Sequence, residues 1–123
     1  AGFMVPAIAM PQVREGKARA LAISSSQPSP LLPGIPTVAE QGLPGFEAIS
    51  WQAILVPAGT PQAIVQRLNR ELDGIIRSDK VRELLDAQYF TAVGGSPEAL
   101  RQQIDSETQR WTAVIDQLGL SLD

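Results

Sequence analysis

The chain has 123 residues, a formal net charge of −3, and 44% hydrophobic against 19% charged residues. This length can bury a hydrophobic core, and the composition is typical of a globular protein. No apolar stretch approaches the ~20 residues of a membrane helix. The ten Lys and Arg residues are scattered singly, so we expect no nucleic-acid partner. The N-terminus lacks the charged region of a signal peptide, and any export signal would lie outside these residues.

The sequence contains no cysteine and no histidine. It therefore lacks a thiol nucleophile, the commonest general base and the commonest transition-metal ligand. These absences argue against an enzyme, and we predict no catalytic residue, no metal and no cofactor.

The first elements in chain order are predicted to be a strand end, a helix and a short strand. Phe3–Val5 leads into Pro6, a residue suited to the first helical position. A helix is predicted from Pro6 to Glu15, kinked by Pro11 and closed by Gly16. Residues 19–23 are predicted to form a strand, and the Pro- and Ser-rich residues 24–36 a loop.

The middle of the chain contains its longest extended run. Thr37 and Glu40 have the spacing of a capping box, which predicts a short helix ending at Gly42. From Glu47 to Ala53 the residues alternate between two faces as in a half-buried strand, whereas Ile54–Val56 is continuously apolar and typical of a strand buried on both faces. We interpret residues 46–56 as one strand that leaves one sheet and enters another, with a single long strand as the alternative.

The remainder is predicted to be mostly helical. Thr60 is a predicted N-cap of a long amphipathic helix, and Ser78 of a shorter one. Residues 89–93 suit a short strand. Ser96 is the predicted N-cap of a last helix that ends at Gly119. Its predicted buried stripe comprises Leu100, Ile104, Thr108, Trp111, Ile115 and Leu118.

The helix predicted at Pro6 offers the most interesting candidate site. Met4 and Val5 stand where a capping Ser, Thr, Asp or Asn would normally lie, so its first N–H groups have no side-chain partner in sequence. Such groups, together with the helix dipole, can bind an anion, although water can satisfy them equally well. Ser24–Ser26, the charged helix faces and Gly94-Gly95-Ser96 are better explained as solvated turns, surface ion pairs and a helix entry.

The order of motifs resembles one family over essentially the whole chain. The segments MVPAIAMPQVREGKARALAIS, PTVAEQGLPGFE, SWQAILVPAGTP and VGGSPEAL are similar to the carboxyl-terminal part of Bug-type solute receptors. These are the extracytoplasmic binding proteins of tripartite tricarboxylate transporters. The resemblance implies an α/β fold of the type II periplasmic-binding-protein kind, with two lobes joined by crossing strands. Residues 1–48 would belong to the second lobe and 49–123 to the return into the first, with the hinge crossing at Ser50 and Trp51. The amino-terminal part of such a receptor would be missing.

The resemblance also implies a function. The family's loop corresponding to Met4–Ile8 faces the ligand cleft and often carries a serine, but this chain has Val5, Pro6, Ala7 and Ile8 there, so backbone N–H groups would bind the ligand. The expected ligand is a small carboxylate (a di- or tricarboxylate or an amino acid), delivered in the periplasm to membrane transporter subunits. A fragment of this kind is expected to be a homo-oligomer without tight ligand binding. The alternatives are a small α/β hydrolase or transferase and a free-standing interaction module.

Overall fold

The computed structural model describes residues 2–120, and the helices in this part of the chain are α1 (Pro6–Arg14), α2 (Gln62–Ile76), α3 (Asp79–Asp86) and α4 (Pro97–Leu118). The chain divides into two compact units. Unit 1 comprises the residues up to Gln52 together with Ser78–Ala92, and unit 2 comprises Ala53–Arg77 and the residues from Val93 onward. The predicted lobe boundary between residues 48 and 49 concerns a whole receptor and stays a prediction.

Unit 1 is organised around Ile23, which forms an isolated parallel bridge with Thr37. The Ile23 N–H donates to the Pro36 carbonyl at 2.8 Å, and the Ile23 carbonyl accepts from the Val38 N–H at 2.9 Å. On the next residue, the Ser24 carbonyl accepts from the Ala48 N–H at 2.8 Å. Three segments of unit 1 are therefore joined by backbone hydrogen bonds at this point.

The capping box predicted at Thr37 forms in full. The Thr37 N–H donates to the Glu40 carboxylate at 2.8 Å, and the Glu40 N–H donates to the Thr37 hydroxyl oxygen at 3.1 Å. Thr37 is only 1% exposed, and Leu32 is the other buried residue within positions 2–120. The helix predicted after Thr37 is wrong, because residues 38–42 form turns. A reciprocal cap closes one turn, and Gly42 with Pro44 soon after stops its extension.

Unit 2 contains α2 and α4, which pack against each other. The predicted start and end of α4 are confirmed: the Ser96 hydroxyl accepts from the Ala99 N–H at 3.1 Å, and Gly119 closes the helix at φ +61°. The predicted cap of α2 is wrong, because the Thr60 hydroxyl donates to the Pro57 carbonyl at 2.8 Å instead of accepting from the helix. Thr60 thus stabilises the preceding turn.

The strands predicted at residues 19–23, 46–56 and 89–93 do not form within the described chain. The expected burial of Ile54–Val56 is also wrong, since Leu55 is 71% exposed. The stripe on α4 is likewise only partly covered, and Leu118 lies in solvent. Apolar alternation marks a segment that gains from pairing and burial, but it does not supply the neighbouring strand that a ladder requires. The α/β description therefore remains unconfirmed at the level of strands.

Candidate functional site

The start of α1 exposes one backbone donor. Val5 precedes the helix in an extended conformation (φ −67°, ψ 141°), and no side chain caps the helix. Pro6 has no N–H, and the N–H groups of Ile8 and Ala9 donate to the Val5 carbonyl at 3.0 and 3.1 Å. Within the helical residues Pro6–Ala9 this leaves the Ala7 N–H as the one donor without an acceptor in the described chain, and the N–H of the preceding Val5 has no backbone acceptor there either. Ala7 is therefore the donor within the helix itself that the predicted backbone site would use, and the assignment of Met4–Ile8 stays a prediction.

Apolar side chains surround this donor. Met4 and Ile8 are each 59% exposed, and Val5 is also open to solvent. No Lys or Arg precedes Arg14 in the sequence. The positive potential at this end thus comes from the helix dipole, about half an elementary charge in a long helix. The segment Met4–Ile8 thus combines a backbone donor without an acceptor in the described chain with exposed apolar side chains.

The start of α2 has the same backbone pattern and serves as a comparison. Ile64 and Val65 both donate to the Pro61 carbonyl, at 2.9 and 3.2 Å, so the N–H of Ala63 is in the position that Ala7 occupies in α1. There Thr60 and Gln62 stand in the places of Met4 and Pro6, and Ile64, the counterpart of Ile8, is 50% exposed. The start of α1 therefore differs in the apolar Met4 and in having no N–H at its first position, and an uncapped helix end alone does not mark a site.

The other predicted site residues, Ser50 and Trp51, are exposed and lie at the end of the first part of unit 1, just before the chain enters unit 2 after Gln52. Trp51 is 39% exposed. No hydrogen bond within the described residues joins either of them to Met4–Ile8. Their assignment to a hinge crossing stays a prediction.

Sequence reasoning missed a contact at the other end of α1. A guanidinium nitrogen of Arg14, the last residue of the helix, donates to the Tyr89 hydroxyl oxygen, and the Arg14 Cζ lies 5.9 Å from the centre of the tyrosine ring. Tyr89 has φ +61°, a conformation in which glycine is expected. No glycine marks the position, so the sequence carries no signal for it.

A second missed cluster joins α2 to the turn before α4. The Asp73 carboxylate accepts from the Gly95 N–H at 3.0 Å and from the Arg77 Nε at 2.6 Å. The Asn69 side-chain amide donates to the Gly95 carbonyl at 2.7 Å. The hydrogen bonds from Arg77 and then Gly95 lower the pKa of Asp73. The spacing of Asn69 and Asp73 on one helix face, followed by a Gly-Gly pair, is the signal that could have found it.

The other groups considered from the sequence show no site. The Ser25 hydroxyl donates to the Gln27 carbonyl at 2.7 Å, as in an ordinary turn. The charged helix faces include a surface ion pair between Arg77 and Asp73 at 2.6 Å. Among residues 2–120 no cluster of acidic side chains could hold a metal ion, and none of the helices has the length and hydrophobicity to cross a membrane.

The backbone matches part of two solved proteins, one of them a periplasmic binding protein. It superposes on R. palustris Rpa4515 with adipate at a TM-score of 0.80 and 32% identity, over 94% of this chain and 38% of that one. The periplasmic binding protein BugD matches at a TM-score of 0.76 and 28% identity, over 92% of this chain and 38% of that one. The predicted binding-protein fold is confirmed at this level.

The family follows from the sequence. Residues 3–120 match the profile described as "Tripartite tricarboxylate transporter family receptor" (TctC), and the chain belongs to this family. Protein BugT of Bordetella pertussis is 40% identical over 96% of this chain and 36% of its own length. The UPF0065 protein of the tcbD-tcbE intergenic region of a Pseudomonas species is 41% identical over 85% of this chain and 32% of its own length. The chain thus spans about a third of these two relatives. The family is one of transporter receptors and BugD is a periplasmic binding protein, which agrees with the prediction of a non-enzyme.

Proposed function

We propose that residues 1–123 form the carboxyl-terminal part of a periplasmic receptor that captures a small carboxylate for a tripartite tricarboxylate transporter. The observation that carries this proposal is the family match over residues 3–120. The neighbour solved with adipate supports a dicarboxylate as the ligand class. The partners of the whole receptor are then the membrane subunits of the transporter.

The ligand site of the proposal is Met4–Ile8. One carboxylate oxygen of the ligand accepts a hydrogen bond from the Ala7 N–H. The alkyl chain of the ligand covers the exposed side chains of Met4, Val5 and Ile8. A charge-assisted hydrogen bond to a backbone N–H is stronger than one between neutral groups. Apolar contact adds roughly 0.8 kcal/mol for each methylene group removed from water. A backbone hydrogen bond to the carboxylate and apolar contact with the alkyl chain together require no charged side chain in the segment.

Two further parts of the proposal concern the whole receptor. Residues 1–48 belong to the second lobe and the chain from residue 49 returns into the first, with Ser50 and Trp51 at the crossing. Residues 1–123 alone associate into a homo-oligomer, because apolar side chains such as Leu21 and Leu55 are exposed and would be covered by a second copy. A compact monomer in sedimentation at micromolar concentration would contradict the oligomer.

Calorimetric titration of adipate into the full-length receptor, meaning the polypeptide of the relatives' length that contains these residues, tests the function. Dimethyl adipate is the matched control, since it has the same chain without the negative charges. We expect saturable binding of adipate and none of the diester. Equal binding of both, or the absence of binding by adipate and by shorter and longer dicarboxylates, would refute a carboxylate receptor.

A further inference from the structure

We propose that Arg14 and Tyr89 are positioning residues for the carboxylate site. Their contact holds one end of α1 and thereby sets the direction of the Ala7 N–H at the other end. This inference rests on the proposed function, because it assigns the two residues a role at the same site. Both residues belong to unit 1, as does the whole of α1.

Helix α1 has little other support. It has nine residues, it contains Pro11 and none of its residues is buried. Helices of this length are unstable in isolation, and a proline removes one of the few hydrogen bonds available. In the part of the chain that the structure describes, α1 packs against no other helix. There the bond from Arg14 to Tyr89 is the only one that joins a side chain of α1 to a distant segment.

The backbone of Tyr89 indicates that this contact is maintained at a cost. Tyr89 is the only residue other than glycine with a positive φ among positions 2–120. Its N–H donates to the Asp86 carbonyl and the Phe90 N–H donates to the Leu85 carbonyl, both at 2.9 Å. These two bonds form the Schellman ending of a helix, in which glycine normally occupies the left-handed position. A tyrosine in this left-handed conformation is less stable than a glycine would be, but its hydroxyl group reaches Arg14.

The contact between Arg14 and Tyr89, called the anchor from here on, is connected to the ligand site by the length of α1. At 1.5 Å per residue, Ala7 lies roughly 10 Å along the helix from Arg14. A tilt of about 15° around the Arg14 end would move the Ala7 N–H by roughly 3 Å, a full hydrogen-bond length. If the anchor is lost, α1 directs the Ala7 N–H at the ligand in only a fraction of the receptor molecules. Its apparent affinity then falls in proportion to that fraction.

The first experiment compares Arg14→Gln, Tyr89→Phe and the double variant by calorimetry with adipate in the full-length receptor. Each single substitution is expected to weaken binding about threefold to tenfold, the range for one net hydrogen bond. The double variant should bind no more weakly than the single variant with the lower affinity. Arg82→Gln on α3 is the matched control, since it also removes one exposed positive charge. It should bind within about twofold of the parent. Additive losses, or single variants that bind like the parent, would overturn the positioning role and leave the proposed function intact.

A second variant separates positioning from general stability. Tyr89→Gly removes both the backbone strain and the hydroxyl, so the urea midpoint should stay constant or rise while adipate affinity falls. An affinity that follows the midpoint would indicate a purely structural residue and contradict the proposal.

Amide hydrogen exchange in α1 needs no ligand, and it is measured on the 123-residue chain. We expect exchange to be about threefold to tenfold faster in Arg14→Gln and in Tyr89→Phe, and unchanged in Arg82→Gln. If the parent receptor does not bind adipate but α1 loses protection in this way, the proposed function fails and the anchor stands. If exchange in α1 is the same in all variants, the anchor fails.

Discussion

Replacing Gly94 by alanine should destabilise unit 2 for two separable reasons. Gly94 has φ +65°, so any side chain there is strained. A Cβ atom would also lie 2.3 Å from the Asp73 Oδ1 and 3.3 Å from an Arg77 side-chain nitrogen. An ordinary carbon contact is about 3.5 Å or longer, so the Asp73 carboxylate must move by roughly 1 Å and lose its bond to the Gly95 N–H.

The strain alone has a matched control in Gly59→Ala. Gly59 also belongs to unit 2, has φ +82°, and has no neighbouring atom within 4 Å of its Cβ position. The left-handed conformation costs an alanine about 1–2 kcal/mol. With a urea m-value of about 1–3 kcal/mol/M, this corresponds to a midpoint lowered by roughly 0.3–2 M. Gly94→Ala should lower the midpoint by clearly more, because the displaced Asp73 carboxylate adds to the strain.

Urea unfolding followed by tryptophan fluorescence, with Trp51 replaced by phenylalanine so that Trp111 on α4 is the one reporter, measures this difference. In an Asp73→Ala background the obstructing carboxylate is absent, so Gly94→Ala should then cost no more than Gly59→Ala. Equal midpoints for Gly94→Ala and Gly59→Ala in the parent background would refute the clash. So would a Gly94→Ala effect that does not change when Asp73 is removed.

Three other predictions concern stability. Thr37→Ala should destabilise the fold by about 1 kcal/mol, and by up to ~2 kcal/mol, because it removes the buried hydroxyl that accepts a hydrogen bond from the Glu40 N–H. A urea midpoint equal to that of the parent would contradict the capping box. Trp51→Ala should cost about 1–3 kcal/mol, less than the ~3–5 kcal/mol of a buried tryptophan, because Trp51 is 39% exposed. The pKa of Asp73 is lowered below 3.8, so its stabilising contribution should be complete above that pH and be lost as the pH falls through the lower folded value. Asp73→Asn should abolish this acid-dependent part of the urea midpoint, and an unchanged pH profile would contradict it.

The sequence predicted those features that depend on local chemistry. The helix beginning at Pro6, the cap at Ser96, the stop at Gly119 and the reciprocal bonds of Thr37 with Glu40 each require only a few neighbouring residues. The resemblance in motif order identified the family, because many separate segments had to agree. These predictions are confirmed.

The features that failed or were missed depend on distant residues. The strand predicted at residues 46–56 needed a partner strand, which the alternation of its side chains cannot supply. The Thr60 hydroxyl could have accepted a hydrogen bond from the first turn of α2, but it donates to the Pro57 carbonyl on its N-terminal side. The contact of Arg14 with Tyr89 joins residues 75 positions apart and involves a tyrosine in a glycine conformation. A pattern read along the chain contains neither fact.

The central claim is that a ligand carboxylate accepts a hydrogen bond from the Ala7 N–H. The most direct test replaces Ala7 by lactic acid in the full-length receptor, which exchanges the N–H for an oxygen and leaves the methyl group in place. The matched control is the same replacement at Ala63, the equivalent position of α2. The account predicts that adipate binds at least about tenfold more weakly to the Ala7 ester than to the parent, and that the Ala63 ester binds normally. Unchanged adipate affinity in the Ala7 ester would contradict the claim.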